Sequence, residues 1–202
     1  MNLYNRALFR LRKLVIMDLY YKRVLGSMGT NSYLGKPLLI TPECLFLGAG
    51  VYIWPNCRIE GVKHYEGVGF SPKVVFGDYA SVQQNLHLTC AESIYVGKNV
   101  AIAANVTITD IHHSYDAIEI PIERQKIKVK PVYVDDDCKI YNNAVILPGT
   151  RIGRHCTIGA NSVVAGVFPD FCVIAGAPAR IVKRYCLETG LWKKTRPNGD
   201  FY

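Results

Sequence analysis

The chain has 202 residues, half of them apolar, with 24 Lys and Arg against 16 Asp and Glu and a net charge of +8. This is enough to bury one core and short for two full domains, and no Pro, Ser or Gln tract marks it as disordered. The charge is uneven: residues 1–26 carry six basic groups and one acid, residues 180–202 six and two, and the 153 residues between them twelve and thirteen. A near-neutral body excludes a phosphate-tracking nucleic-acid surface.

Residues 2–25 read as a basic amphipathic helix, with Leu8, Leu11, Val15 and Leu19 at helical spacing and Arg6, Arg10 and Lys13 on another face. Two roles compete for it: capping the open end of a repeat array, or peripheral contact with a membrane that carries a lipid-linked saccharide. Its most apolar run, LVIMDLYY, is broken by Asp18 and lacks a small-residue cleavage site, so it reads as neither signal peptide nor span. Cys44, Cys57, Cys90, Cys138, Cys156, Cys172 and Cys186 form no CxxC pair and no zinc-ligand spacing. Free thiols, no metal site and a cytoplasmic protein are the expectation.

From Leu47 onward aliphatic or aromatic residues recur at every sixth position. The groups are Leu47, Ile53 and Ile59; Phe76, Val82 and Leu88; Val96, Ile102 and Ile108; then Val134, Ile140, Ile146, Ile152, Ile158 and Val164. Six residues turn an α-helix by roughly 600°, about a third of a turn out of register, so no helix keeps them on one face. A short strand and a turn do. The third residue after the apolar one is Gly50, Asn56, Asn85, Asn99, Asn105, Asp137, Asn143, Gly149 or Asn161 in most units, types that tolerate left-handed backbone and so mark corners. The fourth is Cys57, Ala80, Val100, Val106, Cys138, Ala144, Thr150, Cys156 or Ser162, small enough to turn inward beside a corner.

Groups of three, three, three and six hexads predict three sides per coil, a triangular solenoid of parallel strands. Insertions of 11, 2 and 20 residues follow the hexads of Ile59, Leu88 and Ile108. If the coils align, all three leave from one corner, and the longest, residues 114–133, stands off one edge. The expected organisation is a helix and entry segment over 1–35, a repeat domain over 36–177, and a C-terminal helix and tail over 178–202. That last helix is read from PARIVKRYCLETG, with Pro178 in its first turn and Gly190 past its end.

The phasing over residues 36–184, with NVTITDIHHSY, ILPGTRIG, TIGANSVV and VIAGAPARIVKR, resembles the hexapeptide-repeat acyltransferases, and among them the sugar and polysaccharide O-acetyltransferases. The resemblance implies a mainly β fold, a left-handed parallel β-helix, and a homotrimer with sites between chains. It implies acetyl-CoA as acyl donor, a saccharide acceptor, and direct transfer to a sugar hydroxyl with a histidine base, in surface-polysaccharide biosynthesis. Three alternatives stand beside it. One is N-acetylation of an amino sugar; the second is a metal hydratase of the γ-carbonic anhydrase type, whose His-x-x-x-x-His pair does not occur here; the third is a non-catalytic scaffold.

Of the five histidines, His64, His87, His112, His113 and His155, phase puts His155 on a corner and His64 in the first insertion, while His112 and His113 stand at the base of the long loop, where the regular coil opens. Neighbours in an extended segment face opposite ways, so one of the two enters a given cleft. In the enzymes this chain resembles, the base lies eight residues after the Asn of an Asn-Val-Thr corner. From Asn105 that count reaches His113, with His112 as the alternative, and Asp110 or Asp116 would fix its tautomer. The resemblance places the acceptor contact at Asn85. It places coenzyme A contacts at Asn142, Ala160, Ala165, Gly166, Arg180 and Lys183, the last two for phosphates and a main-chain amide at Asn142 for the thioester oxygen. The chain departs from those relatives in reading Asp110, Ile111, His112, His113 for Asp-His-x-His, and Lys139, Ile140, Tyr141 for Trp-Ile-Gly.

Overall fold

The computed structural model describes Met17 and residues 19–202. Within them, short parallel strands stack into three sheets of seven, nine and six strands, one for each side of the coil, with antiparallel strands extending the second sheet at its C-terminal end. The first face aligns Leu47, Phe76, Val96, Val134, Ile152 and Phe168. The second aligns Leu34, Ile53, Val82, Ile102, Ile140, Ile158 and Ile174. The third aligns Ile40, Ile59, Leu88, Ile108, Ile146 and Val164. All fifteen residues of the six-residue register are buried, none more than 2% exposed. Each such side chain stabilises the stack by about 1.5–3 kcal/mol.

The corners follow the residue types. Gly50, Asn56, Asn85, Asn99, Asn105, Asp137, Asn143, Gly149 and Asn161 all take φ between 56° and 78°. His155 does so too at 56°, and Tyr79 and Phe171 join them without any signal in their side chains. The nine small residues that follow the corners are buried. Coil spacing also limits size: a Cβ at Gly97 would lie 2.4 Å from Asp136 Oδ1 of the next coil, whose carboxylate accepts the Lys98 amide at 2.7 Å.

The solenoid begins before residue 36. Ser27–Met28 already pairs with Phe46–Leu47, and Tyr33–Leu34 with Tyr52–Ile53. Met28, Leu34 and Ile40 keep the step of six but sit one residue out of phase with Leu47, which hides the first coil from a strict count. Its open end is covered by Met17, Tyr21 and Leu25, all buried, with the Leu34 amide donating to Met17 Sδ at 3.2 Å. Leu19 is 54% exposed and lies off that covering face. The remainder of the expected helix, with Leu8, Leu11, Val15, Arg6, Arg10 and Lys13, lies outside the described residues. Among the described residues no helix is long and apolar enough to cross a membrane.

The expected C-terminal helix is replaced by a hairpin. Ala179–Cys186 pairs antiparallel with Cys172–Gly176 on one side and with Leu191–Lys194 on the other. Cys172–Gly176 ends the second face and would otherwise leave an open strand edge, and closing that edge outweighs helix propensity. The alternation agrees, with Ala179 and Ile181 buried and Arg180 and Val182 exposed. Gly190, at φ 67°, turns the hairpin instead of capping a helix.

Candidate active site

Ile59, Leu88 and Ile108 are paired neighbours on the third face, and after each the chain returns to the first face at Lys73–Phe76, Ser93–Val96 and Val132–Val134. All three insertions therefore leave at one corner. The first carries a small hairpin, His64–Tyr65 against Val68–Gly69. The longest rises as a ribbon, Ile111–His113 against Ile127–Val129, closed at its base by the Lys130 amide donating to the Asp110 carbonyl at 2.9 Å. The excursion thus starts earlier than residue 114 and has returned before 133, because its two ends pair with each other.

The shortest insertion is tied down by Asp110. This carboxylate is wholly buried and accepts the amides of Ala91, Glu92 and Ser93 at 2.8, 2.8 and 2.9 Å. The Cys90 thiol also donates to it at 3.4 Å, and burial, helped by the Asp110 charge, pushes that thiol well up. Asp116 is paired with Lys128 at 2.6 Å. The side chain that the structure sets against the His113 ring is one that sequence reasoning did not name.

That residue is Tyr65, on the first hairpin. Its ring meets His113 edge to face, centroids 5.4 Å apart, and its hydroxyl lies 3.4 Å from His113 Nδ1. The hydroxyl donates to the Glu123 main-chain carbonyl at 2.7 Å, with Glu123 Oε2 at 3.2 Å. A phenol has one proton. Once it is committed to Glu123, the oxygen is left to accept a proton from Nδ1, an arrangement compatible with a neutral ring whose lone pair is on Nε2. Desolvation and the Glu123 carboxylate hold the Tyr65 hydroxyl above its ordinary value, so it stays protonated at neutral pH. The only trace of this in the sequence is that Tyr65 lies in an insertion leaving the same corner.

His112 turns to the other side of the ribbon and meets Tyr115 at 5.5 Å. It opens on a cavity of about 390 Å³ lined also by Asp116, Lys128, Lys130, Leu147, Pro148 and Ala165. Ala165 is thus brought to the loop, and Gly166 beside it is open, since a Cβ there would meet nothing within 4 Å. Asn142 and Ala160 are exposed at the opposite corner of the third face, where the Asn142 carbonyl accepts the Asn161 amide at 3.0 Å. Arg180 and Lys183 are exposed on the hairpin strand, across from Ala175 and Val173. The six expected coenzyme A contacts flank both edges of the last coils and do not converge in one pocket of one chain. Small exposed residues and cations that form no ion pair among the described residues fit an extended ligand ending in phosphates.

Asn85 stands at φ 63° and donates from Nδ2 to Asn105 Oδ1 at 3.0 Å. The column continues from Asn105 to Asn143 at 3.2 Å and from Asn143 to Asn161 at 3.0 Å. Asn85 borders a depression of about 460 Å³ with Leu38, Leu39, Asn56, Arg58, Leu86 and His87. The width of the third face, roughly 13 Å of strand, separates it from the ribbon. Among the described residues no group of three or more His, Cys, Asp or Glu is placed to hold a metal ion.

A three-sided parallel solenoid with histidines on a loop at one corner defines the class. Residues 131–166 match the family described as bacterial transferase hexapeptide (six repeats). It is 36% identical over 128 residues to a putative lipopolysaccharide biosynthesis O-acetyl transferase, WbbJ, of Escherichia coli, covering 60% of this chain and 65% of that one. It is 32% identical over 159 residues to a probable acetyltransferase of Mycobacterium tuberculosis, covering 74% and 53%. The chain therefore spans less than two thirds of either relative. Among solved structures, a mutant of AntD, an N-acyltransferase from Bacillus cereus in complex with dTDP-4-amino-4,6-dideoxyglucose and coenzyme A, shares the fold. Its TM-score is 0.70 at 20% identity, over 86% of this chain and 90% of that one.

Proposed function

We propose that the protein is an acetyl-CoA dependent O-acetyltransferase that modifies a sugar hydroxyl in surface-polysaccharide biosynthesis, working in the cytoplasm as a homotrimer on a left-handed coil. The observation that carries this is the placement of His113 at the corner where the coil opens, with its Nδ1 3.4 Å from the Tyr65 hydroxyl. An alcohol needs such a base to become a competent nucleophile at neutral pH.

In the proposed reaction the acceptor oxygen attacks the acetyl carbonyl, Nε2 takes its proton, and the carbon–sulfur bond breaks. The proton then passes to the departing thiolate, so no covalent enzyme intermediate is needed. The main-chain amide at Asn142 donates to the carbonyl oxygen, Ala160, Ala165 and Gly166 leave room for the pantetheine arm, and Arg180 and Lys183 meet phosphates. Asn85 lies across the face from His113, so a site using both takes Asn85 from one copy and His113 from the next. Three copies around an axis close such head-to-tail contacts.

The test is coenzyme A release by the purified chain over a panel of nucleotide sugars and lipid-linked glycans. Release with an acceptor in the panel, lost in His113→Ala and kept in His112→Ala, is expected. The reverse pattern, or no release with any acceptor, overturns the assignment. Hydroxylamine treatment separates the second reading, because an O-acetyl ester is cleaved and the amide of an N-acetylated amino sugar is not.

A further inference from the structure

The C-terminal hairpin concentrates cations, with Glu188 in its turn as its one acid and no ion pair to it among the described residues. Its register sets Lys183 opposite Lys194 and Arg184 opposite Lys193. Like charges directly across a ladder repel, and none of these four forms an ion pair among the described residues. Arg184 rests over the Phe201 ring at 5.9 Å and donates to the Gly199 carbonyl at 3.3 Å, contacts that place the charge without cancelling it. A ladder that keeps two repulsive pairs is adapted to an anionic partner.

Apolar surface lies beside the cations. Leu187, Leu191 and Trp192 are 77%, 62% and 42% exposed around the turn. The Trp192 ring meets Tyr185 at 5.7 Å, Tyr185 meets Phe171 at 6.2 Å, and the Arg154 guanidinium lies over Phe171 at 5.2 Å. An indole and two leucines gain nothing from a soluble polyanion, and a nucleic acid would leave the leucines in water. A bilayer accepts both parts, with rings and leucines at the headgroup boundary and lysines on lipid phosphates.

We propose that this hairpin seats the protein on an anionic lipid bilayer, with Trp192, Leu187 and Leu191 entering the interface and Lys193 and Lys194 bound to headgroup phosphates. The surface lies at the opposite end of the solenoid from Met17 and its covering contacts, so it acts independently of the N-terminal segment. It also stands whether or not the acyl-transfer reading holds.

Cosedimentation of the full chain with phosphatidylcholine vesicles, plain or containing about a third phosphatidylglycerol, tests it at about 0.1 M salt. Binding to the anionic vesicles is expected, falling about tenfold or more in Lys193→Gln/Lys194→Gln and several-fold in Trp192→Ala. The double variant relieves like-charge repulsion, so its melting temperature should hold or rise while binding falls, which a merely structural role would not produce. Absence of binding to anionic vesicles, wild-type binding by the double variant, or binding to a duplex oligonucleotide without binding to vesicles overturns the proposal.

Discussion

The two corners of the third face solve one turning problem in different ways. Where the chain enters the face, Asn56, Asn85, Asn105, Asn143 and Asn161 take left-handed φ, and from Asn85 to Asn161 their side-chain amides bond in an unbroken column. Where it leaves, the chain is let out three times and is drawn back by Asp110, which satisfies three amides of the shortest insertion and accepts Lys130 at the base of the longest. A column that runs through successive coils satisfies each of those turns alike and leaves no room for an insertion. A corner closed by one local tie lets loops from different coils meet, and there Tyr65 of the first insertion reaches His113 of the last.

The sharpest way to break this comparison is at the base. His113→Ala should lower turnover by about 10²–10⁴-fold in the coenzyme A release assay, with His112→Ala within a few-fold of wild type. Next comes the tie. Asp110→Ala leaves three amides without their acceptor and should cost about 3 kcal/mol or more in urea unfolding, with faster hydrogen exchange over residues 111–129.

At the other corner, Asn143→Val forces a β-branched residue into φ 61° and removes two ladder bonds, for a loss of about 2 kcal/mol. Asn143→Gly keeps the backbone and should lose about 1 kcal/mol. Equal stability of the valine and glycine variants would show that left-handed backbone does not build this corner. Tyr65→Phe should lower kcat about tenfold with KM nearly unchanged, since Tyr65 positions the base and does not touch substrate.

The mildest effect is alkaline. Cys44 lies where the first coil passes this same exit corner, and burial, with the Glu43 charge adding to it, pushes its thiol up to about 11. A thiol harder to ionise folded than unfolded contributes stability that is complete below the unfolded value of about 8.5 and fades as pH rises through the folded one. On the order of 1 kcal/mol should be lost from this thiol by about pH 10, and Cys44→Ala should reduce the alkaline loss by that share, while Cys57 and Cys90, also raised by burial, keep the rest.

Much of the fold was legible because it repeats. A buried ladder requires an apolar residue at each sixth position, and a left-handed corner selects Asn, Asp or Gly, so each coil writes the same constraints again. The common exit of the insertions followed from counting alone. The first coil escaped notice because one extra residue before Leu47 shifts its phase, and the C-terminal segment was misread because PARIVKRYCLETG has local helix signals while its conformation is set by the open strand edge beside it.

The site was half legible. Its histidines could be placed at the loop base by phase, and a resemblance in motif singled out one of them. Tyr65 could not be found that way, since 48 residues separate it from His113 and nothing in the hairpin sequence names its partner. Sequence by itself thus determined what recurs along the chain: the six-residue step, the corners, the three faces and the place where loops leave. Tertiary structure alone decided what happens once: which side chain meets His113, which carboxylate ties the corner, and how the last strand edge is closed. A periodic constraint leaves its record in every unit, whereas a single contact between distant loops leaves none.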